Sequence, residues 1–172
     1  MQKNKITTIV KAKLEKQLEE HKKGEKDALE RLNSAKELGD LSENSEADAA
    51  KDDLSRHRTK IAEIENTLQN SEVCGETSGD IIDIGTFFNL YQIHEDGREE
   101  FRGLYMMDSV EDILGGIIAD TSPLGQQIKG NVSGIYNVQT PFKSICYRVE
   151  KQPSSKSAEF METYSSTHKL FE

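Results

Sequence analysis

Two stripes of mostly apolar residues, spaced alternately by four and three positions, constrain this chain more than any other feature. The first stripe contains Leu14, Leu18, His21, Glu25, Ala28, Leu32 and Ala35, and the second contains Ala47, Ala50, Leu54, His57, Ile61, Ile64 and Leu68. A sustained 3.5-residue period predicts helices that pack as a coiled coil. Each arm of about 27 residues would be about 40 Å long, since an α-helix rises about 1.5 Å per residue.

The two stripes pair position by position if the second helix folds back on the first about a turn centred on Leu41. In that register Glu25 faces His57, which we interpret as a polar pair that fixes the register. The alternative is one continuous helix in a parallel dimer. That helix would have to pass through Gly39, a natural helix end, and then Asp40 or Ser42, which are natural N-caps. We therefore predict an intramolecular antiparallel hairpin and a monomer.

The composition changes after about residue 70. Residues 1–70 carry 14 Lys and Arg against 15 Asp and Glu, and they contain no Pro and no aromatic residue. Residues 71–172 carry 8 basic and 16 acidic residues, together with all three Pro. We predict a hairpin domain over 1–74 with an acidic tip at about 39–48, a second domain over 79–152, and a mobile tail over 153–172 in which Phe160-Met161 and Leu170-Phe171 could dock.

The second part has the pattern of a small sheet. We predict strands over 86–93 and 101–107 joined by an Asp-Gly turn, and two more over 135–138 and 144–149. Ser122-Pro123 opens a short helix that continues to about Ile128, since Pro is favoured in the first helical turn. The expected fold class is α+β: a helical hairpin followed by a small antiparallel β domain with one short helix.

Charge and hydropathy exclude several functions. The net charge of −9 argues against free-standing nucleic-acid binding, which needs a broad basic surface. No run of about 18 apolar residues is present to span a membrane, and no apolar segment follows the basic N-terminus as in a secretory signal. Cys74 and Cys146 are too few for a disulfide framework or a zinc site of their own. We expect a cytoplasmic protein.

The predicted hairpin tip concentrates acidic residues. Between positions 38 and 53 there are six acids and one base: Asp40, Glu43, Glu46, Asp48, Asp52, Asp53 and Lys51. Acids at a turn often serve only as caps and solvated ends. The functional alternative is that Asp40 and Glu43, three residues apart across the turn, converge on one Mg²⁺ ion inside a partner, because Mg²⁺ is often held by one or two carboxylates plus substrate phosphates. Lys36, Lys51 and Arg56 could contact RNA phosphate or simply form a solvated face.

The segment from Lys36 to Glu46 resembles the tip of the bacterial GreA/GreB transcript cleavage factors, in which a Gly-Asp-Leu-x-Glu-Asn-x-Glu stretch joins two coiled-coil arms. Ser122-Pro123-Leu124-Gly125 with Gly130, followed by Thr140-Pro141, is similar to the FKBP-like C-terminal domain of that family. The resemblance covers about residues 6–152. Here Ala47 stands where the family commonly has an aromatic residue, and the tail from Pro153 is additional.

The resemblance implies a factor that binds bacterial RNA polymerase and has no catalytic apparatus of its own. The coiled coil would enter the polymerase secondary channel, and the polymerase would then cleave backtracked nascent RNA. Asp40 and Glu43 would help to hold a Mg²⁺ ion shared with the polymerase. Leu41, Ser42, Asn44 and Glu46 would support the tip, and Asp120, Ser122, Pro123, Leu124 and Gly125 would bind the polymerase.

Two other functions stay open from the sequence. The first is a Gre-like inhibitor that occupies the channel without promoting cleavage, a possibility raised by Ala47 and the extra acids Asp48, Asp52 and Asp53. The second is an FKBP-like prolyl isomerase. Active members of that group line their pocket with aromatic residues that usually include Trp, and this chain has no Trp.

Overall fold

The structure of the protein is a computed structural model that describes residues 3–37, 45–75, 77 and 79–169, the last five by their backbone alone. The chain divides into two compact units. One comprises Lys11–Ser71, and the other combines the chain up to Val10 with the chain from Glu72 onward. The α+β class predicted from the sequence is confirmed, but the first ten residues belong with the β unit and not with the hairpin. No helix in the described ranges is long and apolar enough to cross a membrane.

Two long helices form the first unit: α1 spans Thr8–Glu37 and α2 spans Ser45–Gln69. Every position of the two predicted stripes is buried or half-buried. Toward the end of α1 and the start of α2, six of these residues form one buried cluster, consisting of Ala28, Leu32, Ala35, Ala47, Ala50 and Leu54. Because four of the six are alanines, the two helices can approach closely there. The contacts across the helices confirm the predicted antiparallel hairpin.

The predicted Glu25–His57 pair is wrong. The Nδ1 atom of His57 lies 3.0 Å from Nδ1 of His21, and Glu25 accepts a 2.8 Å hydrogen bond from Nε of Arg58. The cause is Gly24, where a side chain would overlap the imidazole ring of His57. His57 fills that space, and the carboxylate of Glu25 stays in contact with water, which avoids the cost of burying its charge.

The segments that lead into α1 and out of α2 pair with each other as a two-stranded sheet of β1 (Asn4–Ile6) and β2 (Ser71–Val73). Thr7 caps α1, because its Oγ1 accepts a 3.2 Å hydrogen bond from the backbone N–H of Val10. The backbone N–H of Thr7 in turn donates to Oδ2 of Asp108 at 2.9 Å. Asp108 has no exposed surface, so a buried carboxylate of the β unit holds the residue that starts the first helix.

The second sheet has five strands in the order β5-β4-β3-β7-β6. Its four predicted strands are confirmed, and all pairs are antiparallel except β4 with β5, a short strand that the sequence analysis missed. The helix predicted after Ser122 is also confirmed as α3, and it packs on one face of the sheet with Leu124 and Ile128 in the core. The elements are β3 (Phe87–Ile93), β4 (Glu99–Asp108), β5 (Ile117–Ala119), α3 (Pro123–Ile128), β6 (Gly134–Gln139) and β7 (Ser144–Gln152).

The segment after residue 153, which the sequence predicts to be a mobile tail, contains helical structure up to residue 169. A 3₁₀ turn at Ser154–Lys156 leads into α4, which spans Ser157–Lys169. Phe160 is 2% exposed, its ring centroid lies 5.3 Å from that of Phe87, and the ring of Tyr164 stacks against it. Through these two aromatic residues, one helical turn apart, α4 covers apolar surface of the β unit. Leu170 and Phe171 lie outside the described residues.

Phe160→Ala should lower the free energy of unfolding by about 3–5 kcal/mol, the usual cost of removing a buried aromatic side chain. Chemical denaturation of the full chain measures this change. Met161→Ala is the matched control, since Met161 is the next residue of α4 and is 38% exposed. Equal effects of the two substitutions would contradict the packing of α4 described above.

Asp108 should contribute less to stability as the pH rises. Burial raises the pKa of its carboxyl above the ordinary value of about 3.9, even though the N–H groups of Thr7 and Ser109 hydrogen-bond to it. A carboxyl with a raised pKa in the folded state favours folding most below its unfolded pKa, and this contribution is lost as the pH rises through the folded pKa. Urea denaturation between pH 3.5 and 7 should therefore show the stability of the native chain falling relative to Asp108→Asn. A relative gain with rising pH would mean that the N–H donors outweigh burial.

Candidate functional site

The predicted tip lies mostly outside the described residues. Asp40, Leu41, Ser42, Glu43 and Asn44 belong to the segment 38–44, which the structure does not describe. The assignment of Asp40 and Glu43 as metal ligands therefore stays a prediction. Glu46, the remaining tip residue, is exposed in the first turn of α2.

Small buried residues bring the flanks of this segment together. Ala35 near the end of α1 is 2% exposed, and Ala47 and Ala50 at the start of α2 have no exposed surface. Ala47 is the residue that departs from the aromatic residue common in the GreA/GreB family. Its side chain packs in the helix–helix interface, so the departure affects how closely the two arms approach.

Two of the three extra acids are engaged in ion pairs along the hairpin. Oδ1 of Asp48 lies 2.8 Å from Nζ of Lys51. Asp53 binds Arg31 on the other helix at 2.7 Å and Arg56 at 3.3 Å. The hydrogen bond from Arg31 is the largest of the effects that hold the pKa of Asp53 below its ordinary value. Asp53 therefore links the two arms, whereas Asp48, in the first turn of α2, complements the positive N-terminus of that helix.

The same pairs occupy two of the three residues considered for RNA contact. Lys51 and Arg56 are exposed but bound to Asp48 and Asp53, and Lys36 is exposed in the last turn of α1. Exposed ion pairs are weak and exchange readily with another partner. Lys36, Lys51 and Arg56 are therefore accessible to RNA phosphate, but their contacts do not distinguish an RNA-binding role from a solvated surface.

The residues predicted to bind polymerase lie together at the start of α3, and most of them have structural contacts. Oγ of Ser122 accepts a 3.1 Å hydrogen bond from the N–H of Gly125 and donates to the carbonyl of Ala119 at 2.7 Å. Leu124 is buried in the core, and a side chain at Gly125 would collide with the backbone of Ala119. Asp120 forms an ion pair with Lys129. Of the Ser-Pro-Leu-Gly motif, only Pro123 is exposed.

A cavity of about 300 Å³ opens beside α3 on the face of the sheet that carries the core. Ser122, Pro123 and Leu124 line it, so the predicted polymerase-binding motif forms one wall of an apolar recess. Ile113 at its rim is 60% exposed and the neighbouring Leu114 is 71% exposed, and neither was predicted from the sequence. Their position, two large aliphatic residues directly before Gly115-Gly116, could have indicated an exposed apolar loop in the sequence. The other walls come from the sheet and the segment before β5, through Leu90, Arg102, Tyr105, Glu111, Ile113, Ile118, Val138, Thr140 and Tyr147.

Within the part of the chain that the structure describes, no group of three or more His, Cys, Asp or Glu side chains is placed to hold a metal ion. Cys74 and Cys146 are both free thiols. Burial raises the pKa of Cys74, so the thiolate that a nucleophile or a metal ligand requires is disfavoured there.

Comparisons with known proteins agree with the two-part architecture. Residues 4–73 match the family model GreA_GreB_N, described as the N-terminal part of a transcription elongation factor. The transcription elongation factor GreA of Halalkalibacterium halodurans is 33% identical over 140 residues, which cover 79% of this chain and 87% of that protein. GreA of Listeria monocytogenes serotype 4a is also 33% identical, over 155 residues that cover 87% of this chain and 95% of that protein.

Among solved structures, GreA factor homolog 1 (Gfh1) of Thermus thermophilus aligns over 88% of this chain and 99% of that chain, with 23% identity and a TM-score of 0.42. A likeness at that level carries no functional argument. The identity to the two GreA proteins, over most of the length of each chain, is the decisive comparison. The protein belongs to the GreA/GreB family of transcription elongation factors.

Proposed function

We propose that this protein binds bacterial RNA polymerase, inserts its helical hairpin into the secondary channel and stimulates the Mg²⁺-dependent cleavage of backtracked RNA by the polymerase. The observation that carries the proposal is a GreA-like hairpin whose connecting segment contains Asp40 and Glu43. The 30 residues of α1 correspond to about 45 Å of helix. That is a suitable length for carrying two carboxylates from the surface of a large enzyme to a buried site.

Asp40 and Glu43 have the right chemistry for a shared Mg²⁺ site. Carboxylate oxygens are preferred ligands of this ion, and one or two of them suffice when substrate phosphates supply the rest. Asp40 and Glu43 would help to hold the second of two Mg²⁺ ions together with its attacking water, since in a two-metal site one ion activates the nucleophile and the other stabilises the leaving oxygen. The contribution of this chain is to hold the two carboxylates in place, through the close packing of Ala35, Ala47 and Ala50 that fixes the ends of the connecting segment.

We further propose that the recess beside α3 receives an apolar side chain of the polymerase. Pro123 and Ile113 are exposed at its edge, and Leu90, Tyr105 and Tyr147 provide apolar surface within it. Docking would then depend on the β unit and cleavage on the tip.

Asp40→Asn should reduce stimulated cleavage by about 10²–10³-fold, because a single preorganised electrostatic contribution to a transition state is of this size. The substitution keeps the size and one oxygen of the side chain but removes its charge. A stalled elongation complex with backtracked RNA provides the assay, and competition with the unmodified chain measures polymerase affinity. That affinity should be nearly unchanged.

Asp52→Asn is the matched control, since Asp52 is an exposed acid on α2 near the tip. Asp52→Asn should stimulate cleavage by the polymerase as strongly as the unmodified chain does. If Asp40→Asn also stimulates cleavage to that extent, Asp40 is a turn cap and the metal assignment is wrong. If the unmodified chain occupies the polymerase without stimulating cleavage, the protein is an inhibitor of the Gre type and the proposed activity fails.

Ile113→Asp should weaken polymerase binding at least about tenfold, because it places a charge at the rim of the recess that would have to be desolvated on docking. Its fold should be unaffected, since the side chain is largely exposed. Ile135→Asp is the matched control: Ile135 is 62% exposed on β6, at a position that points to the opposite face of the sheet. Fluorescence anisotropy with labelled protein measures both affinities, and equal losses would contradict docking through the recess.

A further inference from the structure

Halfway along the hairpin, one histidine from each helix meets the other. Nδ1 of His21 on α1 lies 3.0 Å from Nδ1 of His57 on α2, and the two rings are tilted by 58°. Both residues are half-buried. We propose that these two imidazoles form a binding site for a transition-metal ion of the Zn²⁺, Cu²⁺ and Ni²⁺ class, which bridges the two arms of the hairpin.

The distance between the two nitrogens suits one shared ion. Imidazole nitrogens bind Zn²⁺ at about 2.0–2.1 Å. Two ligands at that distance, separated by an angle between about 90° and 109°, are about 2.9–3.4 Å apart. The observed 3.0 Å lies in this interval. In the metal-free protein these two nitrogens lie at hydrogen-bonding distance from each other, so an ion would replace that hydrogen bond and the rings would rotate to face it.

The site has a feature that a simple pair of surface histidines lacks. Gly24, one turn after His21, leaves the space that the ring of His57 occupies, and a Cβ at that position would overlap the ring. Glycine is a poor residue for a helix interior because it loses more backbone entropy on folding than any other residue. The glycine at this place therefore allows an imidazole to lie between the helices and face its counterpart.

The charges beside the pair do not oppose a cation. Nζ of Lys22, next to His21, lies 2.8 Å from the carboxylate of Glu65, and Arg58, next to His57, lies 2.8 Å from that of Glu25. Lys22 and Arg58 are thus each compensated by an acid on the opposite helix, and Arg56, on the other side of His57, pairs with Asp53 on its own helix. The remaining ligands would be water, because two imidazoles alone do not complete the coordination of any of these ions.

This site differs in chemistry from the one proposed at the tip. Imidazole nitrogen favours Zn²⁺, Cu²⁺ and Ni²⁺, whereas carboxylate oxygen favours Mg²⁺. An ion held by both helices stabilises the folded hairpin, since the unfolded chain does not keep the two histidines together. The pair would therefore couple the stability of the hairpin to the available transition metal.

The test uses the full chain after treatment with a chelator. Zn²⁺ at about 100 times its dissociation constant should raise the melting temperature by roughly 5–10 °C, and Mg²⁺ at the same concentration should not. Electron paramagnetic resonance of the Cu²⁺ complex should show coupling to two nitrogen nuclei. His21→Gln and His57→Gln should each remove most of the Zn²⁺ shift. The matched control is His94→Gln, because that ring pairs with Glu100 in the other unit, and it should retain the shift.

Gly24→Ala provides a second test that leaves both histidines in the chain. Its Cβ displaces the ring of His57, so the shift caused by Zn²⁺ should fall sharply even though the helix itself gains propensity. Far-UV circular dichroism of the metal-free variants confirms that each one is folded. The proposal is overturned by a Zn²⁺ shift that persists in the His21→Gln/His57→Gln double variant or is unchanged in Gly24→Ala, or by a Cu²⁺ spectrum with a single nitrogen.

Discussion

The hydrogen bond from the backbone N–H of Thr7 to the buried carboxylate of Asp108 fixes the N-terminal segment within the β unit, and the start of α1 depends on it. The helical hairpin has no covalent anchor other than its two ends. One end begins at Thr7, which is bound to Asp108 and caps α1. The other end leaves through β2, after which the N–H of Cys74 donates to the carbonyl of Ile6 at 2.9 Å. Ile6 and Val10 are almost fully buried beside this contact. The short N-terminal segment thus serves as the common attachment of both ends.

The interior of the hairpin changes in character along its length. Alanine dominates beside the segment 38–44, which allows the two helices to approach closely there. In the middle the interface is polar, with His21, His57 and the space at Gly24. Leu14 and Ile64 restore an aliphatic interface toward the base. A uniformly leucine-rich hairpin would be more hydrophobic, but registers shifted by one heptad would have similar energies. The polar layer of His21 and His57 favours one register.

The sequence predicted the hairpin and most of the sheet because both depend on local period. Spacings of three and four residues place Ala28 and Leu54 in the helix–helix interface. In the same way, alternation of apolar and polar residues assigns each side chain of β3 and β4 to one face of the sheet. The failures involve space that another segment leaves open. His57 turns toward His21 because Gly24 has no side chain, and Phe160 is buried because the distant Phe87 offers it a surface. Neither the space at Gly24 nor the surface at Phe87 can be deduced from the local pattern of residue types. For Asp40 and Glu43 the sequence remains the source of the assignment.

The place where the hairpin leaves the β unit has a consequence for how such a protein can vary. Since the incoming and outgoing strands, β1 and β2, are hydrogen-bonded neighbours, the helical arms form an insertion whose two ends start from one point. Adding seven residues to each arm would extend the hairpin by about 10 Å while returning every side chain to the same face. The attachment around Asp108 and the recess beside α3 would not change. The architecture therefore allows the length of the hairpin to change in steps of one heptad while the β unit stays the same.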